Sequence, residues 1–193
     1  GGTAGVASIS ASVVYNGSLY VGTSNANSAE IYRYDGDALG TWTKVSGTTG
    51  TVGGNATTAI DMISSLIVYN GYLYAGTTEA DKAEVYRYNG GSSWTQLNAG
   101  GVAGTLLSTT LIDGVPSMAV FGGRLFVGTR EVTKAQIYMY NGGSTWIAVN
   151  GTAGTFVATN SIGMDAITQM VVVNNQLVVG TLKGGDSDVL RWN

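Results

Sequence analysis

The stretch VVYNGSLYVGTSNANSAEIYRYDG (13–36) returns as IVYNGYLYAGTTEADKAEVYRYNG (67–90). Two looser copies follow, VFGGRLFVGTREVTKAQIYMYNG (120–142) and VVNNQLVVGTLKGGDSDVLRWN (172–193). A Gly-Thr pair marks the phase at Gly22-Thr23, Gly76-Thr77, Gly128-Thr129 and Gly180-Thr181, so the period is 54, then 52, then 52 residues. A unit of this size cannot bury both of its faces alone, and its neighbours must stack on it.

Within the second copy, SSLIVY (64–69) and YLYAGT (72–77) are β-rich runs joined by Asn70-Gly71, a dipeptide suited to positive φ at both centres of a tight hairpin turn. AEVYRY (83–88) alternates its faces, and SWTQLN (93–98) follows after Asn89-Gly90-Gly91. These runs are strands A to D of one antiparallel unit, and no segment carries a capped helical period. Such units repeated in series are the signature of a β-propeller. The expectation is a single all-β domain over 1–193, a four-bladed propeller with repeats at about 7–60, 61–112, 113–164 and 165–193. The fourth copy stops within strand C at Val189–Asn193, so the last blade is expected to lack its outer strand and to invite a partner strand or self-association at that edge.

The pairs Tyr34 with Trp42, Tyr88 with Trp94 and Tyr140 with Trp146 resemble the kelch family, whose blades carry a tyrosine in the third strand and a tryptophan in the fourth. Gly-Thr stands where kelch blades place a glycine doublet. The turn in YDGDALGTW (34–42) is similar to the Asp-box hairpin of sialidase-type propellers, with Asn89 and Asn141 replacing Asp35 in later copies. The resemblance implies a fold and says little about activity.

Composition closes several doors. Nine Lys and Arg scattered singly, with a net charge of −3, leave no basic stripe for nucleic acid. No apolar run approaches the roughly 20 residues of a membrane span. Without Cys there is no thiolate or sulfur ligand, and without His neither the usual general base nor the commonest nitrogen ligand is present. No cofactor is expected, and the chain is expected not to be an enzyme. Charged residues at 11% and 30 Gly lean towards an extracellular, virion or cell-surface protein.

Antiparallel order sends the B–C and D–A connections to one end of the units and the short A–B turns to the other, where they are too short to build a site. The D–A segments are long, with 19 positions separating Trp42 from Asp61, Trp94 from Asp113 and Trp146 from Asp165. Asp61, Asp113 and Asp165 recur in register there, able to bind a cation or sugar hydroxyls, or to cap loop N–H groups. The B–C loops diverge between copies and carry Lys82, Arg130 and Lys134. Those six residues are the candidate ligand-binding set, for a glycan or a protein. Glu30 and Glu84, three residues before Arg33 and Arg87, are expected to form ion pairs between neighbouring units. The function expected is a non-enzymatic binding or assembly module, the alternatives being a structural piece of a fibre, capsid or extracellular array, or a sialidase-like hydrolase, which needs two acids about 5–9.5 Å apart.

Overall fold

The structure, a computed structural model, describes residues 6–36, 38, 40–54, 59–107, 111–149, 153–155 and 163–192. Fifteen strands among them fall into four antiparallel sets. The first holds β1 (Ser8–Tyr15), β2 (Ser18–Ser24), β3 (Ile31–Tyr34) and β4 (Trp42–Lys44). The second holds β5 (Met62–Tyr69), β6 (Tyr72–Thr78), β7 (Val85–Gly90) and β8 (Ser93–Gln96), followed by a 3₁₀ turn at Ala99–Gly101. The third holds β9 (Gly114–Phe121), β10 (Arg124–Arg130), β11 (Ile137–Tyr140) and β12 (Trp146–Ala148). The fourth holds β13 (Ala166–Val173), β14 (Gln176–Leu182) and β15 (Val189–Trp192). Asn193, Asp37 and Leu39, the last two in the hairpin similar to an Asp-box, lie outside the described residues.

The A–B turns take the expected conformation, with φ positive at both centres: 48° and 75° at Asn70 and Gly71, 50° and 58° at Asn174 and Asn175. Those turns fix the register of each inner hairpin, for example Tyr69 opposite Tyr72 and Leu66 opposite Ala75. A bulge then interrupts the pairing near the start of the first strand, between Ile9 and Ala11, Ile63 and Ser65, and Ile167 and Gln169. The bulged residue turns its hydroxyl towards the following set. Ser10 Oγ donates to the Ile63 carbonyl at 2.7 Å and Ser64 Oγ to the Val115 carbonyl at 2.9 Å.

The core lies between sets. Three apolar clusters each span one seam, for instance Tyr20, Ile31 and Val45 of the first set with Ile63, Leu73 and Trp94 of the second. The Gly of each Gly-Thr pair is the place where the next set sits closest. A Cβ at Gly22 would lie 2.5 Å from Ile63 Cγ2, one at Gly76 2.8 Å from Val115 Cγ1, and one at Gly128 2.5 Å from Ile167 Cγ2. The Thr holds the second strand to the third. The backbone N–H groups of Glu30, Glu84 and Gln136 donate to the hydroxyls of Thr23, Thr77 and Thr129. Two of the three outer tryptophans close the seam behind them, Trp94 Nε1 donating to the Val45 carbonyl and Trp146 Nε1 to the Leu97 carbonyl, both at 2.8 Å.

Single pairs, Ser24 with Met62, Thr78 with Gly114 and Arg130 with Ala166, join the sets into one 15-stranded antiparallel sheet. Among the described residues the sheet is not closed. The strand path runs from β15 to β4 without returning on itself, and no pairing joins β1 to β13. The seam pairs fix each set against the next, and a periodic sequence carries no information about how many such steps complete a turn.

Candidate functional site

At the end of the sets where the B–C loops lie, each long crossover between sets is fastened to the loop beside it by the same bonds. In the second set the Gly104 N–H donates to the Ala83 carbonyl, the Ile112 N–H to the Gly104 carbonyl and the Ala83 N–H to the Ile112 carbonyl, at 2.9 to 3.0 Å. All three recur at Gly154, Met164 and Ala135, and two of them in the first set, the Ile60 N–H donating to the Gly50 carbonyl and the Ala29 N–H to the Ile60 carbonyl. Buried Asn98 adds two bonds, accepting from the Val85 N–H at 3.0 Å and donating to the Ala83 carbonyl at 3.1 Å. At Gly104, with φ of 79°, a side chain would collide with the Asp81 carbonyl, so crossover and loop share one backbone layer.

Asp61, Asp113 and Asp165 stand in this layer at the three seams. Their carboxylates accept from the backbone of the preceding set's loop: Asn27 N–H to Asp61 at 2.8 Å, Asp81 N–H to Asp113 at 2.8 Å, and Thr133 N–H to Asp165 at 2.9 Å. Asn27, Asp81 and Thr133 all have positive φ, between 56° and 61°, so each acid stabilises a left-handed loop residue. The three acids are separate loop anchors and do not converge. Asp113→Ala is expected to lower stability by about 1 kcal/mol through the orphaned Asp81 N–H, while Asp113→Asn, which keeps the acceptor, stays close to wild type; urea denaturation reads both.

The middle seam has a further feature. Carboxylate oxygens of Asp81, Asp113 and Glu131 lie within 4.8 Å of one another. Burial, the Asp113 carboxylate and, less strongly, that of Asp81 push the Glu131 carboxyl up from its ordinary value, against Lys134. Three such oxygens are hard donors, short of the roughly six to eight that calcium takes. Asn27 replaces Asp81 at the first seam, and Thr133 and Lys183 replace Asp81 and Glu131 at the third. Periodicity drew attention to Asp113, and Asp81, a departure from it, completes the cluster with Glu131, whose counterpart at the first seam is Glu79.

Lys82, Arg130 and Lys134 are exposed on the same end. Lys82 lines a groove of about 580 Å³ with Asp81, Gly101, Val102, Ala103 and Leu111. Val102 is 56% and Leu111 49% exposed, so an apolar floor lies beside one positive and one negative side chain. Arg130 and Lys134 belong to the next set's loop and do not line it. The apolar floor escaped sequence reasoning because Val102 and Leu111 stand in a crossover with no strand or helix period.

The opposite end also differs from expectation. Its turns are short, yet the strand ends build a groove of about 460 Å³ lined by Tyr15, Tyr20, Tyr72, Tyr88 and Arg33, among others. Tyr15, Tyr20 and Tyr88 meet edge to face at centroid distances of 5.6 to 6.3 Å. Among the described residues Glu and Arg form no ion pair between sets: Arg33 bonds Asp35 at 2.9 Å and Glu30 takes Lys44 at 3.0 Å, each partner lying within the same set.

No protein-family model matches the chain, and no curated protein matches its sequence. The kelch-like spacing therefore stands as a likeness in sequence. Among solved structures, the chain is similar to part of the crystal structure of the tricorn protease, with a TM-score of 0.50 and 14% identity over 90% of this chain. It spans 16% of the length of that protein. The likeness is one of all-β, propeller-like fold. It also corrects the expectation that the chain is not an enzyme, because this fold occurs inside a protease. Missing His and Cys remove two reactive groups and leave carboxylates, hydroxyls and lysines, which also serve in catalysis. No helix among the described residues is long and apolar enough to cross a membrane.

Proposed function

We propose that the four strand sets are blades of a β-propeller and that the chain is a binding or assembly module, taking a glycan or protein segment on the end built from the B–C loops and crossovers. The groove beside Lys82 carries this reading. It pairs the apolar surface of Val102 and Leu111 with Asp81 and Lys82, on a backbone layer held rigid by the Gly104, Ile112 and Ala83 bonds. The variation of the loops on a constant frame fits a surface tuned for recognition. We place the module outside the cell or on a virion or cell surface, from its low charge and high glycine content.

A glycan array and a displayed peptide library, probed with the intact chain, test the assignment. The expected result is a family of ligands whose binding weakens about tenfold or more in Lys82→Glu and Leu111→Ser, with unchanged folding. Binding indifferent to both substitutions, or no binding to either library, removes the groove from consideration.

A further inference from the structure

The two ends of the strand array are the unmatched halves of its own seam. On the first set, Ile9 is 57% exposed, whereas its equivalents Ile63, Val115 and Ile167 are 0% exposed against the preceding set. Leu19 is 37% exposed, whereas Leu73, Leu125 and Leu177 are 0%. On the fourth set, Val189 is 76% exposed, whereas Ile31, Val85 and Ile137 in the same register are 0%. Beside it, Gly180 is open. A Cβ there meets its own Thr168 Oγ1 at 3.4 Å and nothing from another set, unlike those at Gly22, Gly76 and Gly128.

We infer that the fourth set of one chain docks the first set of a second copy, head to tail, repeating the seam that the chain already makes three times. Ile9 of the second copy takes the place over Gly180 that Ile63 takes over Gly22. The hydroxyl groups agree with this. The single hydroxyl protons of Ser10 and Ser64 are each shared between a carbonyl of their own set, at Gly22 or Gly76, and the carbonyl of the next set's Ile63 or Val115. Thr168 Oγ1 makes the first of these bonds, to Gly180 at 3.2 Å, and the Ile9 carbonyl of a second copy supplies the counterpart of the other. Both surfaces are apolar, so their union removes from water side chains that every internal seam buries. An interface of this kind is heterologous, and it continues until the ring closes or a filament forms.

This inference is independent of the groove beside Lys82. The test is the mass in solution across concentration, by sedimentation or light scattering, for the whole chain and two variants. Ile9→Lys alters an exposed side chain. Gly180→Val adds atoms where only an ordinary contact exists within the chain, so both variants fold, which circular dichroism checks. The expected result is assembly to twice the mass of one chain or more for the wild type, and a single chain for each variant alone. Mixing the two variants restores a pair, because Gly180 of the Ile9→Lys chain and Ile9 of the Gly180→Val chain still form one intact seam. A wild type that stays single up to its solubility limit, assembly unchanged in both variants, or no pair in the mixture overturns the inference.

Discussion

Gly128→Val is expected to destabilise the chain by about 3 kcal/mol or more, while Gly180→Val leaves the stability of the single chain, read at dilution, nearly unchanged. The two glycines hold the same place in successive Gly-Thr pairs, and neither has a positive φ. Intrinsic propensity therefore cannot separate them, and valine suits a strand at both positions. What differs is the neighbour. A Cβ at Gly128 would lie 2.5 Å from Ile167 Cγ2, 2.6 Å from Ile167 Cβ and 2.6 Å from Ser117 Oγ. Ile167 is fully buried and Ser117 Oγ is engaged with the Ile167 carbonyl at 2.7 Å, so neither can move aside without opening the seam. At Gly180 the nearest atom is Thr168 Oγ1 at 3.4 Å. Thermal or urea unfolding of the two variants beside wild type reads the difference. Equal effects at the two positions would mean that the glycine serves its own strand rather than the seam.

The glycine comparison also marks what a periodic sequence reveals. The Gly-Thr phase, the Asn-Gly turns and the Tyr to Trp spacing each report a local or nearest-neighbour relation, and each corresponds to a bond or close approach in the structure: Thr77 to Glu84, Asn70-Gly71 at φ of 48° and 75°, and Trp94 to the Val45 carbonyl. The openness of the sheet was not legible, because the angle between sets accumulates from packing along the whole seam. The role of the three recurring acids was half legible. Their recurrence implied a structural duty, but the recipient is a loop N–H 32 to 34 residues earlier in the chain, a separation that no local motif encodes. The grooves were not legible at all. One is floored by Val102 and Leu111 from an irregular crossover, and the other is assembled from tyrosines of two sets that the sequence shows only as strand residues.

Glu84→Gln is expected to raise stability by about 3 kcal/mol at pH 8 and to converge on wild type near pH 4. Glu84 is buried, and burial pushes its carboxyl from an ordinary 4.5 up to about 7; the Tyr86 hydroxyl opposes the shift, and Glu79 adds to it. Because the folded value lies above the unfolded one, the folded state binds more protons between them. Stability from this group is complete below about pH 4.5 and is lost as the pH rises through about 7. Glutamine keeps the useful bonds without the charge. It can accept from the Tyr86 hydroxyl, which now donates to Glu84 at 2.6 Å, and an amide rotation at Gln96 restores the 2.9 Å bond on the other side. The third set already contains this solution, since Gln136 stands at the same position and accepts from the Tyr138 hydroxyl at 2.6 Å. The first set takes the opposite course. Burial there also raises the Glu30 carboxyl, but bonds from Thr49, Tyr32 and Lys44 outweigh it and hold the group below its ordinary value. Thr49 and Lys44 make the difference, for Ala103 and Gln96 occupy their places in the second set. Glu30→Gln should therefore lose stability at neutral pH, with the loss shrinking as acid protonates Glu30 in the wild type. Unfolding curves from pH 4 to pH 8 decide the matter: a Glu84→Gln profile parallel to wild type, or a destabilised one at pH 8, would show that Glu84 is solvated well enough to stay ionised at no cost.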